Sequence, residues 1–347
     1  MSNENIISFG VDDNKKLYNF KKDNYKKLKT LGEGSFGKVV LVEKVGSTNQ
    51  FGSNYFAIKI SKRFKKVKKN IEQDGQKNEE KPKEINFIEL RELVIMKKLK
   101  HQNTMDLKDY KFCREEREIW ILMDYFPIHL GEFFSQNKNN TKVMNEKFFK
   151  NIAHQILSGL NYLHQNMIIH RDLKLENILY DEKKNIAKIT DFGLSRQLDY
   201  DISTQYTNVG TFPYKPPELL LGLTHYSTSF DIWSAGCILV EICIGDHLFG
   251  ENDSLGVIKL MYHILGPINE NVLPGFKKFP SSKILDDESL QKIKVIGLID
   301  YIKSKQLFDF KNDEFYDLIK KMLCIDPTKR ISAKECLNHP WLSNMDI

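Results

Sequence analysis

His170-Arg171-Asp172-Leu173-Lys174-Leu175-Glu176-Asn177, with Asp191-Phe192-Gly193 shortly after it, sets two carboxylates and an amide in a fixed order among apolar residues. One such match arises by chance easily; an ordered series does not. The chain around it has 347 residues, 41% hydrophobic and 28% charged, enough for a sizeable core in one large domain or two lobes. Its first residues are polar without a cleavable apolar core, and Ser2 stands where N-myristoylation would need glycine. No stretch reaches the roughly 18 apolar residues that a membrane span requires, so no membrane association is expected. The five cysteines, Cys113, Cys237, Cys243, Cys324 and Cys336, contain no C-x-x-C pair. Neither a disulfide framework nor a zinc site is indicated, and an intracellular location, cytoplasm and/or nucleus, is expected.

The net charge of +6 is concentrated, because residues 61–83 hold nine Lys or Arg against four acids. That stretch is polar and aperiodic and reads as a basic surface loop, with nuclear import or an acidic partner as the alternative to plain solvation. A nucleic-acid module would rest on this loop alone, so no specific nucleic-acid partner is expected.

Residues 1–24 read as a polar extension. From Tyr25 the pattern turns to short β-branched and aromatic runs with glycine punctuation. Residues 39–42, 55–60 and 119–123 are strand candidates, and 85–99 reads as one amphipathic helix. A mainly helical half follows. Phe149, Ile152, Ala153, Ile156, Leu157, Leu160 and Leu163 keep helical spacing, and residues 231–243 are apolar on most sides, as a central helix would be.

Gly32-Glu33-Gly34-Ser35-Phe36-Gly37-Lys38-Val39 contains G-x-G-x-x-G, which three structures could use. A dinucleotide-binding turn should open a helix, but residues 39–42 are strand-like. A Walker A loop would need Ser or Thr where Val39 stands. A glycine-rich hairpin fits, and Ala57-Ile58-Lys59 lies on the next apolar run.

In this order the segments resemble a eukaryotic Ser/Thr protein kinase over residues 25–342. The resemblance implies an α+β, bilobal protein kinase fold: a small β-rich N-lobe, about 25–123, with one regulatory helix; a hinge at 124–130; and a larger helical C-lobe at 131–342. The cleft between lobes is the expected nucleotide site. The roles that follow belong to that family and are carried over by the likeness. Asp172 is the base that accepts the hydroxyl proton, and Asn177 and Asp191 hold Mg²⁺ against the phosphates of ATP. Lys59 neutralises the α and β phosphates, with Glu92 as its partner and Glu89 as the competitor. Lys174 steadies the transferred phosphate and implies Ser or Thr in protein substrates, while His170 supports the loop by packing. Gly32, Gly34 and Gly37 cover the phosphates. Met123 resembles the gatekeeper, Asp124, Tyr125 and Phe126 supply backbone hydrogen bonds to adenine, and Leu31, Val39, Ala57 and Leu179 form floor and roof. His129 stands where relatives more often have an acid near the ribose.

Within the family, Asn86-Phe87-Ile88-Glu89-Leu90-Arg91-Glu92, Glu218-Leu219-Leu220-Leu221-Gly222 and Leu265-Gly266-Pro267 are most like the cyclin-dependent branch. They imply a cyclin or cyclin-like activator docking near Phe87, Ile88 and Leu90, with helix packing as the alternative. Arg91, Arg171 and Arg196 sit where the family builds a cage for a phosphorylated residue, Thr207 or Tyr206. Arg330 resembles the buried partner of Glu218. Lys215 and Val209-Gly210 replace the arginine and valine pair of proline-directed relatives, and lysine cannot reproduce a planar multi-donor contact. A pseudokinase or scaffold and a small-molecule phosphotransferase are the competing functions. The intact Lys59, Glu92, Asp172, Asn177 and Asp191 disfavour the first, and the complete segment from Asp191 to Glu218 disfavours the second.

Overall fold

The computed structural model describes residues 17–20, 23–34, 37–46, 54–61, 87–113, 118–138, 140, 144–198, 209–224, 227–307 and 312–343, without the side chains of Phe87, Ile88 and Glu89. The basic loop beyond Ser61, Ser35, Phe36, Tyr206 and Thr207 lie outside the described residues. Two compact units divide the chain: Met1–Lys97 with Asp106–Tyr125, and Lys98–Met105 with Phe126–Ile347.

The smaller unit is a six-stranded antiparallel sheet in the order β1-β2-β3-β4-β6-β5. Its strands are β1 (Leu17–Asn19), β2 (Asn24–Gly34), β3 (Gly37–Lys44), β4 (Tyr55–Ser61), β5 (Leu107–Cys113) and β6 (Glu118–Asp124), with helix α1 (Phe87–Lys98) between β4 and β5. Successive strand residues face opposite sides of a sheet. Val40 and Val42, Ile58 and Ile60, and Trp120 and Leu122 therefore share one core.

That core also holds Tyr18, Phe20 and Tyr25. The Tyr18 ring meets Trp120 edge-on at 4.7 Å, and Phe20 meets Tyr25 at 5.6 Å. Residues 17–20 thus belong to the sheet rather than to the polar extension read over 1–24. Leu17 faces out and Tyr18 in, an alternation too short to stand out from its polar flanks. β2 also shows no apolar alternation to read, since its buried members are Tyr25 and Lys27.

Gly37 is the glycine of the G-x-G-x-x-G run that the sheet itself demands. Its φ is 140°, and a Cβ there would lie 2.0 Å from the Ile60 carbonyl oxygen; at Gly32 and Gly34 a Cβ would meet nothing within 4 Å. Gly37→Ala is expected to cost about 1–3 kcal/mol through backbone strain and collision with a neighbouring strand. Gly34→Ala should stay within about 1 kcal/mol. Paired urea titrations check the difference, and equal midpoints for the two variants would contradict it.

The larger unit opens with β7 (Ile128–His129), α2 (Leu130–Asn137), α3 (Glu146–Gln165) and β8 (Ile168–Ile169). It continues through β9 (Ile178–Asp181), β10 (Ile186–Ile189), β11 (Arg196–Gln197), α4 (Pro217–Leu220) and α5 (Ser229–Ile244). Helices α6 (Ser254–Leu265), α7 (Glu288–Gln291), α8 (Leu298–Lys305), α9 (Asp313–Met322), α10 (Ala333–Leu337) and α11 (Pro340–Ser343) complete it. β7, β9 and β10 form a three-stranded sheet, and β8 pairs with β11. Every residue of α5 except Glu241 is buried, as its all-round apolar sequence requires. Among the described residues no helix is long and apolar enough to cross a membrane.

Two boundaries differ from the sequence reading. Lys98–Met105, assigned to the small lobe, belongs to the larger unit. Asn103 Nδ2 donates to Gln155 Oε1 at 2.9 Å and to the Ala187 carbonyl at 3.0 Å, and Lys188 Nζ donates to the Thr104 carbonyl at 3.0 Å. A buried polar network of this kind leaves no hydrophobic period to read. The hinge is also shorter than 124–130, because Ile128 and His129 pair with Tyr180 and Leu179 and Leu130 already opens α2.

Candidate active site

The loop between β8 and β9 is fixed from beneath by α5. Asp231 accepts the backbone N–H of His170 and of Arg171, each at 2.9 Å, and lies 2.9 Å from His164 Nε2. Burial alone would push the Asp231 carboxyl up, yet His164, His170 and the Arg171 N–H hold it below the usual carboxylate range. These bonds also hold Arg171 at φ 68°, a left-handed backbone that costs a non-glycine residue about 1–3 kcal/mol. His170 is fully buried. Its Nδ1 accepts from the Asp172 N–H at 3.3 Å, which places the ring proton on Nε2, 2.9 Å from the Thr190 carbonyl. Both ring nitrogens are spent on the loop's shape.

Asp172 is thereby presented with its carboxylate surrounded by donors. Asn177 Nδ2 donates to the Asp172 carbonyl at 2.8 Å and to Oδ2 at 3.2 Å, and Thr211 Oγ1 donates to Oδ1 at 2.8 Å. Lys174 Nζ stands 3.6 Å from Oδ2 and 3.3 Å from Thr211 Oγ1. Thr211 is the member that sequence reasoning missed as a site residue; its only signal was the tripeptide Val209-Gly210-Thr211. Asp191 takes a left-handed backbone, φ 64°, at the start of a 3₁₀ turn over Phe192–Leu194. The fully buried Phe192 packs edge-on against His170 at 5.6 Å.

Asn177 and Asp191 offer the hard oxygen ligands that suit Mg²⁺. With Asn177 Nδ2 occupied by Asp172, the amide oxygen is left for a cation. Among the described residues no cluster of three or more His, Cys, Asp or Glu forms.

In the smaller unit, Lys59 Nζ lies 2.8 Å from both carboxylate oxygens of Glu92 on α1. The register puts Val39 opposite both Gly32 and Lys59, and Ala57 opposite Met123. Met123 is buried, Leu31 is 39% exposed, and Asp124 Oδ2 pairs with Lys108 at 3.0 Å. In the larger unit, Phe126 precedes β7, and Leu179 on β9 pairs with His129 and Lys188. His129, read as a ribose-side substitution, caps α2: its Nδ1 accepts the Glu132 N–H at 3.2 Å.

Of the three arginines, Arg91 lies on α1 in the smaller unit, Arg171 in the loop and Arg196 on β11 in the larger. Arg171 Nε donates to the Leu194 carbonyl at 2.6 Å. At the end of the segment, Arg330 and Glu218 form a two-bond pair, Nη1 to Oε1 at 2.8 Å and Nη2 to Oε2 at 3.0 Å, with side chains at most 1% exposed.

The description "Protein kinase domain" matches residues 25–342, and the chain belongs to that family. It is similar to cyclin-dependent kinase 1 of Encephalitozoon cuniculi (strain GB-M1), 30% identical over 325 residues that cover 94% of this chain and 98% of the other. Cyclin-dependent kinase 10 of Homo sapiens is 32% identical over 323 residues, covering 93% and 81% respectively. Among solved structures, the crystal structure of the yeast RNA Pol II CTD kinase CTDK-1 complex contains a chain with TM-score 0.74 and 26% identity. That match covers 92% of this chain and 93% of that one. The chain is accordingly a Ser/Thr protein kinase of the cyclin-dependent-kinase-like type, with ATP as its phosphoryl donor and proteins as substrates.

Proposed function

We propose that Asp172 receives the proton of the substrate Ser or Thr hydroxyl while Lys174 offsets negative charge on the group in transfer. Asn177 and Asp191 would hold Mg²⁺, which when bound neutralises phosphate oxygens of the nucleotide. Lys59, oriented by Glu92, contacts the α and β phosphates. Gly32, Gly34 and Gly37 lend backbone amides, and Leu31, Val39, Ala57, Met123, Asp124, Phe126 and Leu179 take the adenosine. The observation that carries this reading is the Asp172 carboxylate, oriented through Thr211 and Asn177 with the Lys174 ammonium beside it.

A cyclin-like activator and phosphorylation at Thr207 or Tyr206 complete the proposal. The relatives' names support the first, as do half-buried Leu90 and 46%-exposed Val94 one turn apart on α1. The charges of Arg91, Arg171 and Arg196 support the second. The setting would be cytoplasm or nucleus.

Lys59→Met tests the nucleotide half. Losing one preorganised cation in a site that stabilises developing charge should lower kcat/KM for peptide phosphorylation by about 10²–10³-fold or more. Steady-state assays with and without candidate cyclins read this directly. Near-normal turnover in the Met variant would remove Lys59 from the site.

A further inference from the structure

Lys215 is a buried lysine whose ammonium has no hydrogen-bond acceptor among the described residues. The residue is only 5% exposed, whereas lysines are almost never buried unless paired. Its Nζ lies over the Phe212 ring, 4.1 Å from the centroid. Among the described residues no hydroxyl, carbonyl or carboxylate accepts a hydrogen bond from it. Burial pulls its ammonium down from the ordinary lysine range, while the charge of Asp172 acts in the opposite sense.

The segment that carries this lysine is rigid. The Lys215 N–H donates to the Phe212 carbonyl at 3.1 Å, Ser234 Oγ donates to the Tyr214 carbonyl at 3.0 Å, and the Tyr214 hydroxyl donates to Glu241 Oε2 at 2.7 Å. Gly210 takes φ 77°, and a Cβ there would lie 3.0 Å from the Arg171 carbonyl oxygen and 3.8 Å from Lys215 Cγ. The same segment places Thr211 on Asp172. One stretch of five residues therefore ties the acceptor-poor ammonium to the carboxylate assigned to the phosphoacceptor.

A peptide whose Ser or Thr reaches Asp172 brings its flanking residues near that stretch, at about 3.3–3.6 Å of extended chain per residue. A partly desolvated ammonium with unused donors gains most from an anion, through charge-assisted hydrogen bonds. It repels a basic side chain, and a proline ring offers it no acceptor.

We infer that Lys215 selects protein substrates that carry an anionic side chain, carboxylate or phosphate, directly beside the phosphoacceptor. The inference rests on Asp172 as the base that receives the acceptor hydroxyl. It assigns this chain an acid-directed preference where its cyclin-dependent-like relatives would suggest a proline-directed one.

The test uses the full chain, ATP and Mg²⁺ with one peptide scaffold whose residues flanking the serine are varied among Asp, phosphoserine, Ala, Pro and Lys. For wild type, kcat/KM for the Asp or phosphoserine peptide should exceed that for the Ala peptide by about tenfold or more, with the Lys peptide lowest. The better of the two anionic peptides identifies the anion. Lys215→Met should bring the Asp-to-Ala ratio to about one, and Lys215→Arg should keep it well above one, because the guanidinium retains the positive charge and donates to a carboxylate or phosphate. Equal use of Asp and Ala by wild type, preference for Pro, or a ratio unchanged in Lys215→Met would each overturn the inference. If the Met variant does not fold, the wild-type series and the Arg variant still decide it. Labelling that depends on Asp172 but ignores flanking charge defeats the lysine assignment alone. Labelling insensitive to Asp172→Asn defeats the reading of the base, and this inference with it.

Discussion

Asp172→Asn is expected to lower kcat for peptide phosphorylation by about 10²–10⁴-fold, the range over which a positioned base contributes. The substitution preserves shape. An amide oxygen can still accept from Thr211 Oγ1, now 2.8 Å from Oδ1, so the loop above Asp231 should keep its geometry. The negative charge is lost, and with it the counterpart of Lys174 at 3.6 Å and the group proposed to take the proton. The loss should therefore fall on kcat, with the thermal midpoint close to wild type. Turnover at saturating ATP, read beside a melting curve, separates chemistry from folding. A variant that keeps more than about a tenth of wild-type turnover would take Asp172 out of the base's role.

Arg330→Met should cost about 3–5 kcal/mol of stability, the range for breaking a buried ion pair from one side. Arg330 does more than meet Glu218. Its Nε donates to the Cys324 carbonyl at 2.9 Å, Nη1 to the Ser229 carbonyl at 3.0 Å and Nη2 to the Ile325 carbonyl at 3.3 Å, and the guanidinium lies 5.0 Å from the Trp233 ring centroid. Methionine leaves those carbonyls unsatisfied and strands a carboxylate that is 1% exposed. Adding Glu218→Gln removes the stranded charge and should recover part of the loss, so the double variant unfolds at higher urea than Arg330→Met alone. A single-variant cost below about 1 kcal/mol would mean that the pair is replaceable there.

The readable parts of this protein are those whose chemistry is local in the chain. Asp172, Lys174 and Asn177 lie within one octapeptide, and their mutual contacts follow from that closeness. Lys59 and Glu92 were readable through the family likeness, with Glu89 as the competitor, and Lys59 meets Glu92 at 2.8 Å across 33 residues. Thr211 was not, since its hydrogen bond to Asp172 closes a loop of 39 residues. β1 escaped because three residues show no period, although Tyr18 and Phe20 alternate correctly. Lys98–Met105 escaped because it is held by Asn103, Gln155 and Lys188, polar residues that read as surface until burial is known.

Order along the chain determined the kinase fold class and nominated the acids, the amide and the lysines, because glycine-rich turns, strand runs and loop motifs are short-range features. Tertiary structure decided what those residues meet. It set Asp231 beneath the loop, brought Thr211 to the Asp172 carboxylate, and made the lysine at position 215 a buried residue with its ammonium over the Phe212 ring. The reason is physical: a motif specifies which donors and acceptors are present, but burial and long loop closures specify which of them are satisfied.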